Sequence, residues 1–254
     1  MGFYDLAKPE RVKLVEKINQ EILEDITTSK IKTLLVYFSD EDTYIRKTAY
    51  LAIGKIYLTN LPLQHNIVQA LHNLTLHENE KVRQTTINAA GEIGKTNFKE
   101  LISFFDKGLF DEHHSVRNAV IGSVKKMGEK NPVPVLKWAK QYLTHPDKEI
   151  RREICHGIEL RGRTHPQDIL PLLESLQHDK TKRVRSTLVH VLGQIAYKKG
   201  CLKTVVEALN KWENKELVKD ALDEIIDVHH RYRNFAVLSQ KEAIEFIDRF
   251  ADNK

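Results

Sequence analysis

The side chains best placed to do chemistry in this sequence are cations, and they are unevenly spread. Residues 151–200 carry 10 Lys and Arg against 5 Asp and Glu, while residues 1–150 carry 21 against 19 and residues 201–254 carry 9 against 11. The formal net charge of +5 is thus concentrated in one stretch. A patch of this kind attracts phosphate backbones or acidic proteins. Its candidate phosphate contacts are Arg161, Arg163, Lys180, Lys182 and Arg183, with Arg152 beside them. Further on, Arg231 and Arg233 alternate with Tyr232 and Phe235. Such interleaving can grip phosphates and stack on bases; the competing reading is an amphipathic loop that buries Phe235 and pins the last helix.

Two histidines, His156 and His190, stand 34 residues apart, with Glu224 a further 34 along. Two imidazoles do not make a zinc site, and neither a metal nor a cofactor is expected. The pairs His113-His114 and His229-His230 read as turn or solvated residues. No Walker phosphate loop, Rossmann glycine fingerprint, HExxH, EF-hand loop or GxSxG elbow occurs, so no enzyme activity is expected. The acids Asp40, Glu41 and Asp42 fall at a helix link, where carboxylates favour helix N-termini. Cys155 and Cys201 lie outside any CxxC context and read as inert thiols of a reducing cytoplasm. No apolar run is long enough for a signal peptide or a membrane span.

What must position these residues is a repeat. An aliphatic followed by a cation recurs as Ile45-Arg46, Val82-Arg83, Val116-Arg117, Ile150-Arg151, Val184-Arg185 and Val218-Lys219, at intervals of 37, 34, 34, 34 and 34. Six residues before the cation stand Asp40, His77, Asp111, His145 and Asp179, types suited to starting or capping a helix. Eight residues after it come Gly54, Gly91 and Gly193, and eleven after it Gly94, Gly128 and Gly162. The earlier glycine lets a neighbouring helix approach, and the later one fits a helix end. A second apolar-periodic stretch precedes each pair, for example Ile67, Leu71 and Leu74. Each repeat is therefore an antiparallel helix pair, which buries its stripes only by stacking on its neighbours.

Two terminal helices frame the array. Pro9 opens a stripe of Val12, Val15, Ile18, Ile22 and Ile26. Ser239-Gln240-Lys241-Glu242 is a capping box before Ile244, Ile247 and Phe250.

The phrase Asp-x-x-x-x-Val-Arg at 111–117, followed by an apolar helix ending near glycine, resembles the HEAT repeat over roughly residues 31–232. The resemblance implies an all-α, right-handed α-solenoid of about six HEAT-like helical hairpins, with caps at 1–30 and 233–254, forming one domain over 1–254. It also implies that the recurring arginines are structural and that the second helices line a concave, mildly basic surface. There Lys126, Arg152, His156, His190 and Gln194 are the expected partner contacts. The function implied is a non-catalytic scaffold for a macromolecular partner, most readily a protein.

A second resemblance is to the HEAT-like DNA alkylation repair glycosylases. Residues 150–153 and 184–196 look similar to that family's C-terminal half, with Arg152 where the family places a DNA-contacting arginine and His190 where it places an aromatic. Its Trp-x-x-x-Asp signature would fall near 113–117, where this chain has His113 and Arg117. An arginine there opposes the developing cationic sugar, so what this resemblance implies is non-catalytic nucleic-acid binding, the alternative reading.

Overall fold

In the computed structural model, which describes residues 2–251, every repeat folds as two helices around a short link. The chain divides into two units between Asn131 and Pro132, with no linker. The first unit holds α1 (Lys8–Thr27) and three hairpins: α2 (Lys32–Phe38) with α3 (Thr43–Thr59), α4 (Gln64–Leu74) with α5 (Glu80–Gly94), and α6 (Ile102–Leu109) with α7 (His114–Lys130). The second holds α8 (Pro132–Tyr142) with α9 (Lys148–Gly157) and its short continuation α10 (Glu159–Gly162). Then come α11 (Pro166–Glu174) with α12 (Lys182–Gln194), α13 (Cys201–Leu209) with α14 (Lys215–Arg231), and the terminal α15 (Gln240–Phe250). Among the described residues there is no strand.

The link explains the period. The residue six before the cation accepts the backbone N–H two positions on: Asp40 from Asp42 at 2.7 Å, His77 from Asn79 at 3.0 Å, Asp111 from His113 at 2.9 Å, Asp179 from Thr181 at 2.8 Å. These residues therefore set the turn, and the helix cap itself falls two positions later. There Asp42, Asn79 and Asp147 accept from the N–H two residues into the helix, at 2.7, 2.8 and 2.8 Å. The recurring arginine closes the link from inside the helix. Arg83 Nη1 donates to the carbonyls of His77 and Glu78, Arg117 to those of Asp111 and Glu112, and Arg151 to those of His145 and Pro146. Arg83 and Arg151 also reach the next hairpin. Arg83 grips Asp111 at 2.8 and 3.0 Å, and Arg151 grips Asp179 at 2.6 and 3.3 Å. The aliphatic partner packs inward: Val82, Val116, Ile150, Val184 and Val218 are all buried.

Stacking runs through the second helices. In the first unit α5 packs between α3 and α7; in the second α12 packs between α9 and α14. The glycines eight past the cation sit at these contacts, as expected. A Cβ on Gly54 would lie 2.7 Å from Glu92 Cβ, and one on Gly193 would lie 2.6 Å from Glu224 Cγ. The glycines eleven past the cation behave less uniformly. Helices end at Gly94 and Gly162, whereas α7 runs on past Gly128 to Lys130.

At the start of the chain, α1 buries Ile18, Ile22 and Ile26 and leaves Val12 exposed. Its buried Asp25 accepts the N–H of Leu34 at 2.8 Å, fixing α1 to the first turn of α2. At the other end Ser239 and Glu242 form the expected capping box of α15, which buries Ala243 and Ile247 while Ile244 and Phe250 remain partly exposed. Replacing Ser239 with alanine removes that cap. The expected cost is about 1 kcal/mol, confined to α15 and visible as faster amide hydrogen exchange from Gln240 to Phe250.

Candidate functional site

The expected contact residues fall in both units. Lys126 lies in the first, on α7, where its Nζ is 3.4 Å from Glu92 and 5.5 Å above the Tyr50 ring. Arg152, His156, His190 and Gln194 lie in the second. Arg152 and His156 come from α9, and His190 and Gln194 come from the neighbouring α12. Helical spacing places the first three of these on one half-exposed face. Gln194 departs from the expectation: it is 1% exposed. The physical reason is the α10 continuation of the preceding hairpin, which brings Arg163 over it, and Arg163 Nη2 donates to Gln194 Oε1 at 3.0 Å.

Electrostatically this face is mixed. Glu149 accepts from Arg152 Nε and from Arg183 Nη1, both at 2.9 Å. Arg161 pairs with Asp168 at 2.7 Å. Arg163 donates through both Nε and Nη2 to Glu159 Oε1, at 2.9 and 2.5 Å. Arg185 reaches Asp220 at 2.6 Å, and Arg231 reaches Glu224 and Asp227, each at 2.6 Å. Five of the candidate phosphate contacts, counting Arg152, are therefore already engaged with carboxylates. Lys180, Lys182 and Arg233 are the exposed remainder. An open groove between α12 and α14 passes Ser186, Val189 and His190.

Sequence reasoning missed two acids of this region. Glu153 and Glu159 are 4% and 1% exposed. Taking carboxylates out of water is costly unless a cation and hydrogen bonds replace the solvent, and Arg152 and Arg163 do so at the two Oε1 atoms, at 3.4 Å and 2.5 Å. Glu159 also faces His156, with Oε2 3.2 Å from Nε2. The spacing His156-x-x-Glu159 was the available signal, since residues three apart share a helical face.

Two further expectations are corrected. Phe235 is 67% exposed; Tyr232 takes the stacking position instead, on Tyr197 at 5.4 Å between ring centroids. His229 is buried within α14, with Nδ1 2.7 Å from the Ile225 carbonyl, and so is neither a turn nor a solvated residue. Both cysteines are buried, and burial pushes the thiols of Cys155 and Cys201 above their ordinary value, the condition of an unreactive thiol.

Residues 136–226, which run from within α8 into α14, match the family model described as HEAT repeats. These residues are HEAT repeats. No curated protein matches the chain. Among solved structures the chain is similar to one from work in which Crescerin uses a TOG domain array to regulate microtubules in the primary cilium. Identity there is 18% and the TM-score 0.49, with 81% of this chain and 88% of that chain covered. An archaeal HEAT-like repeats protein from Thermococcus onnurineus NA1 gives 16% identity and a TM-score of 0.39, covering 85% of this chain and 97% of that one. A chain from a structure of Kap95p with RanGDP gives 15% and 0.48, covering 79% and 30%. Identities and TM-scores this low give the likenesses no bearing on partner or activity. The HEAT repeats supply a helical scaffold, and among the described residues no helix is long and apolar enough to cross a membrane.

Proposed function

We propose that the chain is a non-catalytic scaffold that binds a protein partner on the face formed by α9, α12 and α14. The observation that supports this reading is the pairing of its arginines. A phosphate backbone gains affinity by releasing counterions from itself as free cations replace them. Arg152, Arg161, Arg163, Arg183 and Arg231 already hold carboxylates, so a phosphate would compete with Glu149, Asp168, Glu159 or Glu224 for them. A protein surface offers both signs of charge and can complement such a mosaic without breaking it. The nucleic-acid alternative rests on the exposed Lys180, Lys182 and Arg233.

A photo-crosslinking residue at Ser186, on the groove, is expected to capture a discrete protein from native lysate, while the same residue at exposed Glu174 on α11 does not. In parallel, fluorescence anisotropy with labelled duplex and single-stranded DNA is expected to show no binding at low ionic strength. Tight DNA binding that weakens steeply with salt, with equal crosslinking from both positions, reverses the assignment in favour of the alternative.

A further inference from the structure

The geometry points to a divalent transition-metal site of the zinc class, held by His156, Glu159 and His190. One ligand atom from each lies within 4.8 Å of the other two. His156 Nε2 is 3.2 Å from Glu159 Oε2, and the two imidazole rings meet edge to face with centroids 6.1 Å apart. Two imidazole nitrogens and one carboxylate oxygen form the donor set of zinc sites that keep a fourth position for water or another ligand. Metal–ligand bonds of about 2.0–2.2 Å require donors roughly 3.3 Å apart in a tetrahedron. The histidines must therefore close in by about an ångström or two, and they have the freedom to do so: their side chains are 36% and 42% exposed.

The third ligand is rigid. The Glu159 side chain is 2% exposed, and Arg163 takes Oε1 with two donors, leaving Oε2 turned toward His156. Hydrogen-bonded support behind a ligating carboxylate is what orients it at a metal. Gln194 backs Arg163 in turn through Oε1, and its buried Nε2 has no hydrogen-bond partner. Glu224 lies 3.7 Å from His190 Nδ1, where outer-shell carboxylates commonly steady a ligating imidazole. Because Arg163 already draws on the charge of Glu159, the two imidazoles carry most of the affinity. The ion would join α9 and its continuation α10 to α12. The site shares His156 and His190 with the proposed partner face, but its test does not depend on that reading, since its probe is the metal alone.

Calorimetric titration of the full chain with zinc chloride is expected to show one tight equivalent, and cobalt(II) to give the intense visible bands of a four-coordinate site. His156→Ala and His190→Ala should each weaken that equivalent by at least the roughly 10–100-fold that even outer-shell changes cost. His178→Ala, a control at another surface histidine, should leave it unchanged. Both test positions are partly exposed, and circular dichroism before titration confirms that the variants are folded. Zinc uptake that persists in both variants, weak six-coordinate cobalt bands, or no tight equivalent in the unaltered chain overturns the assignment.

Discussion

Replacing Arg151 with alanine lowers stability by about 3 kcal/mol, the lower end of the range for removing one partner of a buried ion pair, because this pair is part-buried. The size follows from what Arg151 does in two hairpins at once. It satisfies the carbonyls of His145 and Pro146 in its own link and holds Asp179 in the next, with side chains 16% and 8% exposed. Alanine leaves those carbonyls without their donor and Asp179 charged without its cation, and unpaired buried groups cost more than a pair contributes. Urea denaturation followed by circular dichroism measures the loss. A double-mutant cycle with Asp179→Asn isolates the pair: the second substitution should add little once Arg151 is gone.

The same pair sets an acid limit. Burial alone would raise the Asp179 carboxyl, but the bonds from Arg151 and Thr181 and the guanidinium charge outweigh it and hold it below the usual range. Asp111 is held low in the same way, burial being overcome by Arg83 and the His113 N–H. A carboxylate depressed on folding contributes stability that is complete above its unfolded pKa, about 3.9. That contribution is lost as pH falls through the lower folded value. The gap between the unaltered protein and Arg151→Ala should therefore be constant near neutrality and narrow only in acid. A gap that instead narrowed between neutral pH and 5 would mean that some group other than Asp179 is responsible.

The repeat was legible because its cause is local. Link residue, cap and arginine lie within seven positions of one another, so their chemistry leaves a fixed spacing in the chain; the interlocking of Arg83 with Asp111 and Arg151 with Asp179 follows from copying that spacing. The exposed face was less legible. That Arg183 reaches Glu149 while staying exposed depends on side-chain direction across two hairpins, information that no spacing within one helix holds. Gln194 sits at an offset that projects outward on an ideal helix, yet α12 ends there and Arg163 from the preceding hairpin covers it. The expectation buried Phe235, whereas it is Tyr232 that packs. The Phe235 N–H bond to the Tyr232 carbonyl turns the chain at once, and Tyr232 is left against Tyr197.

The contact between α5 and α7 yields an equally large effect from a residue with no side chain. A Cβ on Gly91 would lie 2.7 Å from Ser123 Cβ and closer still to its Oγ. Rotating Ser123 relieves the hydroxyl but not the Cβ contact, so the two helices must separate. Valine at 91 is expected to cost about 3 kcal/mol, the upper range for overpacking a filled core. Alanine costs less, because the roughly 1 kcal/mol gained in helix propensity offsets part of the overlap. Gly122 on the same α7 provides the opposite case: a Cβ there meets nothing within 4 Å. Gly122→Ala should therefore leave stability unchanged or raise it by up to about 1 kcal/mol. Moving the small residue across the interface, as Gly91→Ala with Ser123→Gly, should recover most of the loss of Gly91→Ala alone. If Gly91→Val and Gly122→Ala instead shift the urea midpoint equally, helix propensity and not the approach of α7 governs this position, and the glycine eight residues past the cation loses its structural meaning.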